Sequence, residues 1–210
     1  EELSGSELLE ELRATALEGL SRRKRRTVEV RPGLTVFFDV LSAEAKLLVC
    51  GAGHIALSLA RFARELGFSV TVLDDRPDFA HPSRFPGCEV VAEDFVTALR
   101  ALPLGPGTYV VVITRGHEHD TECLLEVLRK ETAYVGLIGS RRRVRFVLEL
   151  LGREGIAPER LDAIFSPIGL PIGAESPEEI ALSIAAELVS VRRRGAAETQ
   201  ALRNPGGSPR

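Results

Sequence analysis

The chain has 210 residues, 44% hydrophobic and 27% charged, with a formal net charge of −3. That suffices for one α/β core with an appendage but not for two full domains. The charge balance gives no reason to expect nucleic acid or an anionic membrane as partner. No apolar run approaches a membrane span and no leader-like segment opens the chain, so the cytoplasm is the expected compartment.

Residues 6–21 place Leu8, Leu9, Leu12, Leu17 and Leu20 at helical spacing, and the basic run Arg22 to Arg26 that follows is read as a solvated helix end in preference to a nucleic-acid patch. Thr27–Val30 and Leu34–Val40 are β-type runs around Arg31-Pro32-Gly33, which predicts a hairpin, with a linker near Leu41–Ala45. Residues 1–42 thus form an N-terminal helix and hairpin appendage. From Lys46, strands near Leu47, Val70, Glu89, Val110 and Tyr134 alternate with helices near Leu59, Thr97, Leu125 and Val147. Such alternation predicts an α/β fold with a doubly wound parallel sheet, and residues 43–194 read as a Rossmann-like nucleotide- or cofactor-binding domain. Ser176-Pro177-Glu178-Glu179 opens a last helix, expected to reach about Val191, with a capping box. Residues 195–210 lack an apolar face and are expected to be a flexible tail.

The most specific segment is Lys46 to Asp75. An apolar strand, Leu47–Cys50, leads into Gly51-Ala52-Gly53-His54-Ile55-Ala56, a Gly-x-Gly-x-x-Ala turn, and then an amphipathic helix. Gly51 permits the tight turn, Gly53 lets a pyrophosphate approach the backbone, and Ala56 lets the helix lie close on the strand. The following strand ends at Asp74, whose carboxylate is placed to accept from ribose hydroxyls and to reject a 2′-phosphate, with Asp75 and Arg76 beside it. The alternative is a Rossmann scaffold that keeps its glycines for packing alone.

Ligands in such sheets bind beyond the carboxyl ends of the strands, where strand order reverses. The loop after the fourth strand of the domain, Thr114-Arg115-Gly116-His117-Glu118-His119-Asp120, is expected to face the glycine turn, and His54 and His81 fall in loops at the same edge. The loop suits a polar, anionic ligand, with His117 or His119 able to move a proton. In the bland reading Asp120 caps a helix starting at Thr121 and Glu118 is simply solvated. No catalytic residue is assigned; His117, His119 and Asp120 are the candidates. No metal site is expected, because the two histidines find no second ligand pair at recognisable spacing. Cys123, in the same helix, is either a thiol tuned by the helix dipole or a small buried apolar group. Cys50, Cys88 and Cys123 have no CxxC spacing. Gly139-Ser140-Arg141, opening the next helix, offers amides and arginines to a phosphate, against an ordinary helix capped by Ser140. The loop Ser166–Gly173 is expected to shape the pocket rim.

Five stretches, LLVCGAGHIA, VTVLDDRPDFA, VVVITRGHEHD, YVGLIGSRRR and PIGLPIGAESPEEIALSIAAELV, together resemble the Rossmann domain of the xanthine dehydrogenase accessory protein family, the XdhC/CoxI type, over about Val40 to Arg194. The resemblance implies a chaperone-like maturation factor that binds molybdenum cofactor and assists insertion of its sulfurated form into a molybdenum hydroxylase such as xanthine or carbon monoxide dehydrogenase. It implies that apoenzyme as partner, with a cysteine desulfurase as a further one, and a homo-oligomer is expected. The cofactor contacts would come from Gly51, Ala52, Gly53, His54, Ile55, Asp74, Asp75, Arg76, Thr114, Arg115, His117, Gly139, Ser140 and Arg141. Full-length members carry an N-terminal domain with a cysteine near its end. Residues 1–42 have no cysteine and little glycine, a departure that weakens any carry-over of cofactor sulfur chemistry; they are expected to be a remnant of that domain in a trimmed chain, as the missing methionine suggests, or part of a short relative acting with another chain. Two other readings stand beside it: an NAD-dependent oxidoreductase using one histidine as proton donor, which lacks an evident substrate domain, and a non-catalytic module that senses NAD.

Overall fold

The computed structural model describes residues 5–22, 26–39 and 45–203, in two compact units that divide after Ala43. Most of the basic run (residues 23–25), the linker over 41–44, Val40 and the last residues, 204–210, lie outside the described residues.

The first unit contains α1 (Gly5–Arg22), β1 (Arg26–Arg31) and β2 (Leu34–Phe38). The two strands pair antiparallel with Val28 opposite Val36, and the Gly33 amide at their turn donates to Glu29 Oε1 at 3.2 Å. Arg26, the last cation of the basic run, is ion-paired with Glu18.

The second unit runs β3 (Ala45–Cys50), α2 (His54–Glu65), β4 (Phe68–Asp74), a 3₁₀ turn (Pro82–Arg84), β5 (Glu89–Ala92), α3 (Phe95–Ala101), β6 (Thr108–Val112), α4 (His117–Val127), β7 (Tyr134–Leu137), α5 (Arg141–Arg153), α6 (Pro158–Asp162), α7 (Pro177–Arg194) and α8 (Ala196–Arg203). Its five strands are all parallel, in the order β5-β4-β3-β6-β7. The chain leaves β3 to one side for β4 and β5, then returns to the other side for β6 and β7, so the order reverses between β3 and β6.

The unbroken apolar strands are explained by burial on both faces. Successive side chains alternate sides: Leu47 and Val49 pack with Leu59 and Ala63 of α2 and Ile184 and Leu188 of α7. Leu48 and Cys50 join Leu99 of α3, Leu124 of α4, and Val147 and Leu151 of α5 on the other face. This is the doubly wound Rossmann-like fold that the alternating pattern predicts.

The C-terminal end needs correction. The capping box at Ser176 is present, with its hydroxyl accepting from the Glu179 amide at 3.2 Å while the Glu179 carboxylate accepts from the Ser176 amide at 3.0 Å. Beyond α7, however, residues 196–203 form α8 rather than a flexible tail. Thr199 is buried and hydrogen-bonds Ser190 at 2.8 Å, and Arg203 Nε lies 2.9 Å from Glu187 Oε2, a fully buried carboxylate on α7. Glu187 Oε1 in turn accepts from the Tyr134 hydroxyl and the Gly169 amide. Docking through one buried charge and one hydroxyl leaves no apolar stripe for the sequence to display.

Candidate functional site

The C-terminal ends of β3, β4 and β6 bring together the glycine turn, the loop after Asp74 and the loop after Val112. Gly51 has φ +112, and a Cβ added there would stand 2.5 Å from the Ile113 carbonyl oxygen. Glycine is therefore demanded twice, by conformation and by the close approach of the β6 end. Its amide donates to the Leu73 carbonyl at 2.7 Å, holding the turn on β4.

Gly53 is different. It is the N-cap of α2, no side chain caps the helix, no acid lies in its first turn, and nothing stands within 4 Å of where a Cβ would be. His54 is exposed and Ile55 half-buried in that first turn. Among helices beginning at this sheet edge, α3 and α5 are closed by Asp94 and Ser140, and α4, though without a side-chain cap, carries Glu118 and Asp120 in its first turn. The α2 end alone of these four combines an uncapped start, no acid in its first turn and open space at the N-cap, the arrangement suited to an external anion.

Asp74, expected at a ribose, is turned inward. It is 1% exposed; Oδ2 accepts from the Ala52 amide at 2.8 Å and Arg76 Nη2 at 2.9 Å, and Oδ1 from the Arg76 amide at 3.1 Å and Nε at 2.8 Å. Burial pushes this carboxyl up, but the Arg76 guanidinium and the two amides outweigh it and leave it below its ordinary value. Its work is to clamp the glycine turn. Arg76 stacks on the Phe79 ring at 3.7 Å, and Arg84 donates to the Ala52 carbonyl at 3.1 Å and to the Phe79 carbonyl at 2.6 Å. Both backbone groups of Ala52 are thus taken, so any anion must be met at Gly53 and beyond.

Asp75, the next residue, faces outward and forms a two-pronged ion pair with Arg115, with Nη2 to Oδ2 at 2.7 Å. The pair joins the loops after β4 and β6, the strands on either side of β3. Hydrogen bonding from Arg115, against a smaller opposing effect of burial, holds the Asp75 carboxyl at about 2.

The histidine loop divides into a structural part and an exposed part. Helix α4 begins at His117, not Thr121, so Asp120 is no cap but lies inside the first turn, 0% exposed. Its Oδ1 accepts from the Thr114 hydroxyl at 2.6 Å, and its Oδ2 pairs with Arg143, whose Nε is 2.9 Å away. Burial raises the Asp120 carboxyl against the pull of Thr114 and Arg143. These contacts lock α4 to α5 and leave Asp120 and Thr114 facing the interior. His117 is exposed with its ring edge against Phe146, and His119 lies 3.1 Å from Glu122 and tilts on Phe95. His81 caps the 3₁₀ turn through Ser83. Cys123 is buried beside Cys50, and burial raises its thiol well above the ordinary value, so it serves as packing. Among the described residues no group of three or more histidine, cysteine or acidic side chains is placed to hold a metal.

At the start of α5, the Ser140 hydroxyl accepts from the Arg143 amide at 3.3 Å, and Arg141 is exposed. Gly139 has φ +150, and a Cβ added there would stand 3.3 Å from the Arg143 stem. Residue type does not distinguish Arg141, Arg142 and Arg143. Helical phase does not separate Arg141 from Arg143 either, since each stands three or four residues before a core valine, Val144 or Val147; the Asp120 carboxylate on α4 is what draws Arg143 inward. Phe79 and Arg84 escape sequence reasoning because nothing in a loop signals a side chain stacked over its own backbone.

The chain matches the model of the XdhC Rossmann domain over residues 47–188. It is 35% identical over 161 residues to YqeB of Escherichia coli strain K12, covering 76% of this chain and 29% of that protein. It is 34% identical over 160 residues to a protein of Bacillus subtilis strain 168 named as a probable xanthine dehydrogenase subunit, covering 76% of this chain and 46% of that one. A crystal structure of a xanthine dehydrogenase from Bacillus halodurans has 32% identity and a TM-score of 0.66, covering 83% of this chain and 51% of that one. The chain therefore spans about half or less of the length of these relatives. With its fold, its glycine turn and most of its second unit matched, this chain belongs to the XdhC family through its Rossmann domain.

Proposed function

We propose that this domain holds a phosphorylated cofactor at the C-terminal edge of β3 and serves as an accessory factor in the maturation of a molybdenum hydroxylase, the cofactor being molybdopterin. The observation that carries the reading is the α2 N-terminus at the point of strand reversal: uncapped, free of acids and open at Gly53. The residues fit a phosphate or pyrophosphate group. Gly53, His54 and Ile55 offer backbone amides, and Arg115 and Arg76 are cations at the flanking loops. Family membership and the names of the relatives support molybdenum enzymes as the setting.

Magnitudes set the division of labour. A helix N-terminus contributes about 0.3–1 kcal/mol toward an anion, up to ~2 kcal/mol when partly buried. Micromolar affinity needs about 8 kcal/mol. The amides therefore orient the phosphate, and most of the rest of the affinity comes from burial of the ring system along the His117 loop and the Ser166–Gly173 rim, because Arg76 and Arg115 are already paired with Asp74 and Asp75. Bound in a hydroxylase, the molybdenum cofactor supplies the redox chemistry; this chain's residues hold and orient its phosphate.

The test is calorimetric titration of the purified chain with isolated molybdopterin cofactor, NAD, NADH and ADP. Tightest binding of the pterin supports the proposal. Tighter binding of NAD, with NADH formed when a substrate is added, would replace it with the dehydrogenase reading.

A further inference from the structure

The outer side of α5 carries charge that the cofactor site does not use. Arg141, Arg142 and Arg145 are exposed, and none has an ion-pair or hydrogen-bond partner among the described residues. They stand in the first turns of the helix, where the positive end of the dipole repels cations, and no acid lies there to offset them. The contrast with α7 is direct, because Arg192, Arg193 and Arg194 sit in its last turn, where the dipole favours them. The fourth arginine, Arg143, is neutralised by Asp120. The amides of this helix end are not waiting for a phosphate either, since Ser140 caps it. Three unpaired guanidiniums are thus held where the fold gains nothing from them.

An apolar group lies in the same strip. Phe146 is 48% exposed, and its ring meets the edge of His117 at 5.5 Å between centroids, so the strip continues from α5 onto the start of α4. Arginine and phenylalanine are the residue types enriched where protein surfaces meet. From Arg141 to Arg145 the helix rises about 6 Å, room for about two phosphate spacings of one nucleic-acid strand. The patch is therefore matched to a compact acidic surface and not to a polyanion track. With the chain at −3 overall, attraction to an acidic surface comes from local clusters such as this one.

We infer that Arg141, Arg142, Arg145 and Phe146, with His117 beside them, form the docking surface for an acidic, partly apolar patch on the molybdenum hydroxylase. This rests on the partner named under the proposed function. The experiment is biolayer interferometry of the 210-residue chain against purified apo xanthine dehydrogenase of the same organism, at about 50 mM and about 300 mM salt. Arg141→Glu/Arg142→Glu/Arg145→Glu is compared with Phe146→Ser and with the control Arg193→Glu/Arg194→Glu. Charge reversal on α5 lowers affinity at least about tenfold and removes most of the salt dependence, while Phe146→Ser weakens binding at both salt concentrations and the control stays within about threefold. Because the reversed charges suit the helix dipole, the triple variant also melts no lower than wild type, which separates lost binding from lost folding. Wild-type binding that survives both α5 variants overturns this surface and leaves the partner standing. Absence of wild-type binding overturns the partner and this inference with it. Equal salt-dependent binding to single-stranded RNA overturns the assignment to a protein.

Discussion

Helices α2 and α5 start at the same edge of the sheet, each after a glycine with positive φ, and they are finished in opposite ways. At α2 the next positions are small and uncharged, so the first-turn amides face open space. At α5 the serine after Gly139 closes the helix on itself, and the charge appears on outward side chains instead. The first helix start is left uncapped, and in the proposed function it receives an anion through its backbone; the second has its backbone satisfied by Ser140, and in the further inference its outward cations meet a partner. A glycine turn does not tell these apart. The residue that follows it does.

Gly51→Ala is the strongest way to break the α2 side. The new Cβ meets the Ile113 carbonyl at 2.5 Å in a backbone region that alanine disfavours, so urea unfolding should show a loss of about 2–4 kcal/mol. Asp74→Asn comes next, because it removes a buried carboxylate that ties Ala52 to Arg76; the expected loss is about 1–3 kcal/mol. As this clamp acts through the turn and not on a ribose, calorimetry should find ADP and inorganic pyrophosphate weakened alike. A selective loss of ADP would return Asp74 to the ribose.

On the α5 side, Ser140→Ala should cost about 1 kcal/mol of stability while changing ADP affinity less than about twofold, because that helix end holds no ligand in this account. The smallest effect concerns the Asp75–Arg115 pair. Its carboxyl lies at about 2 against an ordinary 3.8, so the stabilisation is complete above the ordinary value and lost as pH falls toward the folded one. For a pair exposed in part, about 0.5–1 kcal/mol is expected after solvent screening. Asp75→Asn should lower stability by that amount at neutral pH, and the gap between variant and wild type should close between about pH 5 and pH 2.

How much of this is readable in the sequence depends on whether local chemistry announces itself. The sheet is legible because Leu47–Cys50 and its companions are apolar without a break, and the α2 turn because Gly51 and Gly53 stand between a strand and an amphipathic helix. The boundary of α4 is not: Asp120 has the type of a helix cap, and its burial under Thr114 and Arg143 arises from residues 6 and 23 positions away. Asp74 is placed correctly in the fold, but a carboxylate at a strand end can face a ligand or its own turn, and only Arg76 and the Ala52 amide decide which. Helix α8 leaves no periodic trace, since Arg203 and Thr199 dock through polar contacts. No helix among the described residues is long and apolar enough to cross a membrane.

Gly53→Asp probes whether the open α2 N-terminus holds the ligand's phosphate. Space exists for the side chain, so the variant should fold, and its carboxylate should cap the helix from within and gain about 0.5–1 kcal/mol of stability. Calorimetric titration with molybdopterin cofactor should then show affinity reduced at least about tenfold relative to wild type, through competition for the same amides. A well-folded Gly53→Asp protein that binds the cofactor as tightly as wild type would show that the phosphate does not sit at this helix end.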